Sequence, residues 1–510
     1  MLSQVYSCGV LGIDGVVITV EIDVAGGLPA YVTVGLPDAG VRESKERVCA
    51  AIKNSGWRFP MKRVTINLAP ADLKKEGAAY DLPIALGLLA ATEQLDCKAL
   101  ADYVFIGELS LSGELRPVAG VLPMVLAARR QGFKKIIVPE KNGMEAAVVS
   151  GITVYPMASL GAAARHLSGE CPGAPLALDG KAILAAAGKP ADTVDFAEIR
   201  GQDSAKRALE IAAAGAHNVL LCGPPGAGKS MLAKAFASIL PDLTMEEALE
   251  ITKIYSISGL LSEGTMMTAR PFRAPHHTIS RVSLVGGGRL PKPGEVSLAH
   301  LGVLFLDELP EFQKSALEVL RQPIEDQRVT ISRVSASLTY PASFALIASM
   351  NPCPCGYYGD LDHPCTCTPA EIKRYAGKIS GPLLDRIDIR LTVPAAKFSD
   401  LASPRRAEPS AEIKKRVDLA RKIQNTRYTD EPGIYFNAQL TPALMERHCR
   451  LGSSEQALMA QIYEQLNLSA RGYHRILKLA RTIADLDGGG PISNVHLSEA
   501  IQYRALDTAA

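Results

Sequence analysis

Long apolar runs are missing from this 510-residue chain. No stretch of about 18 consecutive apolar residues occurs, so no helix is expected to span a bilayer. Met1-Leu-Ser-Gln-Val-Tyr has no basic segment leading into an apolar stretch, so no secretory signal is expected and the expected location is the cytoplasm. Aromatic residues make up 5%, with a single Trp, which leaves little for a base-stacking platform. A charge excess is also absent. The formal net charge is +2, so any surface that attracts nucleic acid must be local or assembled from several copies. No internal repeat or low-complexity tract is evident. The 10 Cys are scattered apart from one cluster, and Cys8, Cys49, Cys97, Cys171, Cys222 and Cys449 read as small buried hydrophobes of a reducing compartment.

What is present is apolar content of 47%, enough for several cores, and a length that suits about two to four domains. Residues 1–170 alternate strand-like stretches (16–24, 31–34, 64–68, 136–138) with helix-like ones (44–55, 82–92), a self-contained α/β or α+β unit. Residues 171–195, with Cys171-Pro-Gly-Ala-Pro and Gly188-Lys-Pro-Ala-Asp192, read as a linker. Residues 196–398 form a nucleotide module, and 399–510 a charged helical tail whose stretch 470–486 stops at Gly488-Gly-Gly490.

The nucleotide module announces itself at Gly223-Pro224-Pro225-Gly226-Ala227-Gly228-Lys229-Ser230. An apolar run, 218–222, precedes it and a helix-like segment, 231–240, follows, the strand–loop–helix order of a phosphate-binding loop. Glycines let backbone N–H groups close around phosphate oxygens, and the helix terminus adds partial positive charge. Lys229 would reach the β- and γ-phosphates of ATP, and Ser230 would ligate Mg²⁺. Val303-Leu-Phe-Leu306 then ends in Asp307-Glu308. Asp307 would hold Mg²⁺, and Glu308 would accept a proton from the attacking water. A third apolar run, 344–349, ends in Met350-Asn351-Pro352, so that Asn351 could hold that water in line. Arg386, in Leu-Leu-Asp-Arg, is a candidate arginine finger for a neighbouring subunit's nucleotide; the alternative is a salt bridge to Asp385 or Asp388. Arg471, in Ser-Ala-Arg at the head of a tail helix, could reach the γ-phosphate of its own subunit; the alternative is an ordinary surface arginine.

In that order and spacing these elements resemble AAA+ ATPases of the magnesium-chelatase clade. With Arg270-Pro-Phe-Arg-Ala-Pro-His-His277 and Pro352-Cys-Pro-Cys-Gly356, the whole chain resembles the YifB/ComM family of competence-associated, chelatase-like ATPases. The resemblance implies a fold of α/β class: an AAA+ P-loop core with a parallel sheet and a helical C-terminal lid, preceded by an α+β Lon-protease-like domain. Ile199-Arg-Gly-Gln202 matches the segment that packs against adenine. Further implications are a ring, expected to be a hexamer, with Arg386 acting across each interface, and ATP-driven branch migration of single-stranded and branched DNA during recombination, alongside recombination proteins. In the Lon-like domain, 81–87 and 109–140 follow the protease pattern, but Ile84 stands where that pattern has its Ser and Leu122 where it has its Lys. Without an activated hydroxyl no acyl-enzyme can form, so proteolysis is not expected. The rival readings are a magnesium-chelatase motor subunit remodelling a metal-insertion partner, an ATP-dependent protease, and a nucleotide-controlled scaffold.

Cys353, Cys355, Cys365 and Cys367 form C-x-C-x9-C-x-C, a candidate structural Zn²⁺ site, although C-x-C is tighter than the usual C-x2-C. His363 could replace one thiolate, and unligated thiols are the alternative. Two segments are candidates for DNA: a hairpin spanning 329–340 with Arg328 and Arg333, and the glycine-rich Gly286-Gly-Gly-Arg289-Leu-Pro-Lys292-Pro-Gly294. His276 and His277 read as structural or substrate-contacting rather than metal ligands. The run Lys414-Lys415-Arg416 to Arg421-Lys422 reads as a solvated helix face, with DNA contact as the lesser alternative.

Overall fold

The computed structural model describes residues 1–96, 99–186, 193–261, 266–288, 291–333, 336–360, 362–395, 407–431, 433–466 and 468–504. Cys97, Gly188–Asp192, Arg289, the 398/399 boundary and the Arg333 side chain therefore lie outside the described residues. Two compact units emerge: Met1–Ala187 with Thr244–Thr268, and Gly188–Leu243 with Ala269–Ala510. Among the described residues no helix is long and apolar enough to cross a membrane.

The first unit is built on a seven-stranded mixed sheet in the order Ala30–Val34, Arg63–Ala69, Asp14–Ala25, Leu2–Leu11, Tyr103–Phe105, Lys135–Pro139, Thr153–Met157. Period-two burial sets its faces: Val64, Ile66 and Leu68 point inward while Arg63 is exposed. The helix Asp81–Ala91 is apolar all round and buried along its whole length, as its sequence requires. Ile84 and Leu122 are both fully buried. Asp81, at the head of that helix, is held by Arg47 Nε at 2.6 Å and by the Leu109 N–H at 3.2 Å.

Two segments belong to this unit that the sequence alone does not assign to it. Within 171–186, Leu176 bridges to Val154 and Gly180–Ala186 is a helix. The helix Met245–Ser258 is started by a Thr244/Glu247 capping box and stopped by left-handed Gly259. It packs on the helix Val121–Arg130. Ser256 Oγ donates to buried Glu145 Oε1 at 2.5 Å, and the Leu122 N–H donates to the same oxygen at 2.9 Å. Burial raises the Glu145 carboxyl above its ordinary range, and these two bonds with Asn142 hold it back.

The second unit carries a five-stranded parallel sheet in the order Phe272–Arg273, Val303–Leu306, Ala345–Met350, Val219–Cys222, Ile389–Thr392. Val303–Leu306 and Ala345–Met350 are buried at every residue, the pattern of strands covered on both faces. The tail supplies the helices Ser410–Arg427, Pro442–His448, Ser453–Gln465, Ala470–Leu486 and Asn494–Gln502. This is the AAA+ P-loop core with a helical lid region, preceded in the chain by an α+β unit.

Candidate nucleotide-hydrolysis site

Val219–Cys222 delivers the chain into the glycine loop at the carboxyl ends of the parallel strands. Gly226 and Gly228 take φ of +77° and +83°, conformations that would strain a side chain, and nothing lies within 4 Å of where a Cβ would stand. Gly228 caps the helix Lys229–Phe236. Lys229 is nearly buried, and its Nζ donates to Gly223 O (2.7 Å), Pro224 O (2.9 Å) and Asn351 Oδ1 (3.1 Å). These acceptors hold the ammonium where phosphate oxygens would compete for it, and the donor set fits a triphosphate. Burial lowers the Lys229 pKa, against the opposing pull of Cys222, Asp307 and Glu308.

Ser230 Oγ donates to Asp307 Oδ2 at 2.8 Å, so the hydroxyl and carboxylate expected to share Mg²⁺ are already together. Ser349 Oγ and the Glu308 N–H (3.0 Å) donate to the other oxygen of Asp307. Ser349 escapes a motif reading. Its signal is that it is the one hydroxyl in the buried strand Ala-Leu-Ile-Ala-Ser-Met. Glu308 takes a left-handed φ of +53°, uncommon for a side-chain-bearing residue and typical of functional turns. Its carboxylate is largely exposed and lies 3.4 Å from His277 Nδ1. Glu308 and Asn351 line one cavity of about 520 Å³ together with Arg374, Tyr375 and Lys378. The adenine-segment candidate reaches the same end of the sheet: Gln202 Nε2 donates to Pro394 O (2.7 Å), just past the strand Ile389–Thr392.

Arg386 and Arg471 stand elsewhere. Arg386 precedes the strand Ile389–Thr392 and so lies at the amino ends of the parallel strands. A four-residue strand separates those ends by about 13 Å. Its partner is Glu325 (2.5 Å), not Asp385 or Asp388. Arg471 lines a cavity of about 510 Å³ with Asn218, Glu325, Phe344, Asp388 and Arg475, again at the amino ends. The reach of Arg471 to its own subunit's γ-phosphate, expected from the sequence, is corrected by this placement. The cause is the docking of the helix Ala470–Leu486: Arg475 pairs with Asp388, and Thr482 Oγ1 lies 2.8 Å from His217 Nε2, both partners preceding strands.

The chain is 43% identical over 506 residues to competence protein ComM of Haemophilus influenzae, covering 99% of this chain and 98% of that protein. To YifB of Escherichia coli it is 44% identical over 515 residues, covering 99% and 97%. The chain belongs to the ComM/YifB family of magnesium-chelatase-like AAA+ ATPases. Family models described as magnesium chelatase subunit ChlI match residues 195–401, as subunit ChlI of Mg-chelatase 20–142, and as the ChlI C-terminal region 407–504. The magnesium-chelatase 67 kDa subunit of Chlorobaculum parvum is 32% identical over 163 residues, but that covers 31% of this chain and 23% of that subunit.

Two further features of this ComM/YifB chain stand out in its sequence. The sulfurs of Cys353, Cys355, Cys365 and Cys367 lie within 4.8 Å of one another, so the tight C-x-C spacing does not keep them apart. His363 is not among them. It stacks on Tyr357 (5.0 Å) beside Asp360, which replaces the expectation that it could stand in for a thiolate.

The DNA candidates also come together. Arg328–Arg333 and Ala336–Pro341 form an antiparallel hairpin with paired hydroxyls at Thr330–Thr339 (3.2 Å). Tyr340 Oη donates to Pro291 O (2.7 Å), and a Cβ on Gly286 would stand 2.9 Å from Ile331, so the glycine-rich loop lies against the hairpin. The tail cations are differently placed. Lys414 pairs with Asp242 and Asp418, Lys415 with Glu412, Arg416 with Glu210 and Glu408, and Arg421 stacks on Phe436. Lys414, Lys415 and Arg416 are thus neutralised within the chain, which favours the solvated-face reading over DNA contact.

Proposed function

We propose that this protein is a ring-forming, ATP-driven motor that acts on DNA, promoting branch migration as single strands are integrated by recombination in natural transformation. The observation that carries the reading is the separation of the hydrolytic groups. Lys229, Ser230, Asp307, Glu308 and Asn351 gather at the carboxyl ends of one sheet. Arg386 and Arg471 lie at its amino ends, where they would serve a neighbouring copy's nucleotide. A head-to-tail contact whose rotation closes makes a ring, here expected to be a hexamer.

In this reading the glycine loop holds the phosphates of ATP, with Ser230 and Asp307 holding Mg²⁺. The metal's charge would neutralise phosphate oxygens. Glu308 takes the proton of the attacking water, and Asn351 orients that water. The partner subunit's Arg386 and the partner subunit's Arg471 meet the developing phosphoryl charge. The hairpin and glycine-rich loop face DNA, six copies concentrating charge that one chain's net +2 conceals. Cys353, Cys355, Cys365 and Cys367 hold one structural Zn²⁺. The Lon-like unit, with buried Ile84 and Leu122 in place of a nucleophile and base, performs no proteolysis.

Full-length similarity to a protein named for competence supports this over the chelatase reading, whose relative matches less than a third of the chain. The test is ATPase rate with single-stranded, duplex and four-way DNA, alongside a junction-migration assay. Stimulation by branched DNA is expected, with migration abolished in Lys229→Ala and Glu308→Gln. No DNA stimulation, together with stimulation by a porphyrin-bearing partner, would select the chelatase motor.

A further inference from the structure

The cysteine knuckle stands against the phosphate loop. Its Sγ separations are 3.3 Å for Cys353–Cys355, 3.6 Å for Cys355–Cys365 and 3.7 Å for Cys353–Cys365. A disulfide needs about 2.05 Å, so none of these pairs is bonded. Sulfurs placed about 2.3 Å from a central Zn²⁺ form a tetrahedron with edges of about 3.8 Å, close to the spacing here. Backbone N–H groups add an outer layer of donors: Tyr358 to Cys353 (3.3 Å), Cys355 to Cys367 (3.4 Å) and Cys367 to Cys365 (3.4 Å). Such bonds orient thiolates and temper their charge.

Two contacts link this knuckle to the groups that hold phosphate. Cys353 follows Asn351 by two residues, and Asn351 accepts a hydrogen bond from Lys229 Nζ. Gly356, at φ +90°, presses on the loop itself: a Cβ there would come within 2.6 Å of Pro225 Cδ and 2.8 Å of its Cγ. Between Met350 and Pro369 the described residues form no helix or strand, so hydrogen-bonded secondary structure does not fix this segment. A cross-link through the four sulfurs would.

We propose that Zn²⁺ in this knuckle braces the phosphate loop, holding Gly356 against Pro225 and Asn351 against Lys229, so that nucleotide affinity depends on the metal. This rests on the Zn²⁺ reading above and goes beyond it, because a structural metal elsewhere in the fold would leave nucleotide affinity alone. Four protein ligands leave no open coordination position, so the metal acts through geometry rather than on the phosphates.

The test uses the full-length chain purified without chelator. Zinc is counted by elemental mass spectrometry, and the dissociation constant of a fluorescent ATP analogue with Mg²⁺ is measured before stripping, after a thiol-directed mercurial with chelator, and after reduction and zinc return. About one Zn per chain is expected. Affinity should weaken about tenfold on stripping, the scale of a modest fall in preorganisation, and should recover with zinc. Cys365→Ser with Cys367→Ser should mimic the stripped state. Gly356→Ala keeps all the thiols but pushes the knuckle off Pro225, and should retain zinc while weakening nucleotide binding. Well under one Zn in untreated protein overturns the metal reading and the brace with it. A full zinc complement with affinity unchanged by stripping and by Gly356→Ala overturns the brace alone.

Discussion

Arg386 Nη2 lies 2.5 Å from Glu325 Oε2, and the guanidinium is almost wholly buried at the edge of the sheet away from its own Lys229. In the proposed ring, an arginine so placed would serve the next copy's phosphates rather than its own subunit's. Arg386→Ala should therefore leave nucleotide binding intact while lowering turnover about 10³-fold or more, the usual worth of an arginine finger. Steady-state ATPase and equilibrium binding of an ATP analogue check this together. Unchanged turnover would remove the finger.

Mixing subunits gives a sharper test of action between copies. Lys229→Ala protein should be inactive because it cannot hold phosphate, and Arg386→Ala protein because its neighbours lack the cation. In an equimolar mixture, about a quarter of the head-to-tail interfaces pair an intact loop with an intact arginine, and activity should return in that proportion. The same cross with Arg471→Ala asks whether that residue also serves the neighbour. No recovery in either mixture would place the cation and the loop in one subunit.

Glu308 and Asn351 share a cavity, and Glu308 is held out on a left-handed turn. Glu308→Gln keeps the shape and removes the proposed base. ATP should bind with little change and turn over about 10²–10⁴-fold more slowly, and the protein should accumulate in its ATP-bound assembly. Size-exclusion chromatography with ATP and Mg²⁺ would report the trapped ring, and a monomeric elution would contradict it.

The phosphate half of the site was legible because each part is local: an apolar run, a turn of glycines, an acidic or amide residue at a strand tip. The placement of Arg471 was not. Whether Arg471 faces its own loop depends on how the helix Ala470–Leu486 docks, and that is decided by Arg475 with Asp388 and by Thr482 with His217, partners 87 and 265 residues apart in sequence. The excursion of Thr244–Thr268 into the first unit was hidden for a related reason. Its capping box and Gly259 mark a helix, but no local feature names the core that receives its apolar face. The cysteines were visible as a cluster. The approach of Gly356 to Pro225 was not, since it depends on the path of the intervening turn.

The hairpin Arg328–Arg333 with Ala336–Pro341 makes a prediction about DNA that the ATP site does not. Arg328→Ala with Arg333→Ala should spare basal ATPase and abolish its stimulation by DNA. If those side chains meet phosphates, the slope of log affinity against log salt should fall by about 0.7–0.9 for each phosphate that is no longer neutralised. Binding titrations at several salt concentrations check this. An unaltered slope would assign the DNA surface elsewhere.

Asp388 ties the lid to the sheet. It is buried, pairs with Arg475, lies 3.5 Å from His217 Nδ1, and accepts the Asn218 N–H at 3.0 Å. Burial alone would raise its carboxyl pKa, but Arg475, then His217 and the Asn218 N–H, outweigh it and hold the carboxyl well below the usual Asp range. A carboxylate depressed on folding adds stability that is complete above its unfolded value of about 3.9 and is lost as pH falls from there through the folded value. Asp388→Asn keeps the shape but leaves Arg475 without its counter-charge, at a cost of about 3–5 kcal/mol near neutral pH. Amide exchange in the strands Val219–Cys222 and Ile389–Thr392 reports this locally. Exchange should be faster in the variant at pH 7 and at pH 5, and the gap between the two proteins should narrow below about pH 4. A gap that widens on acidification would mean that burial, not the arginine, sets the charge state of Asp388.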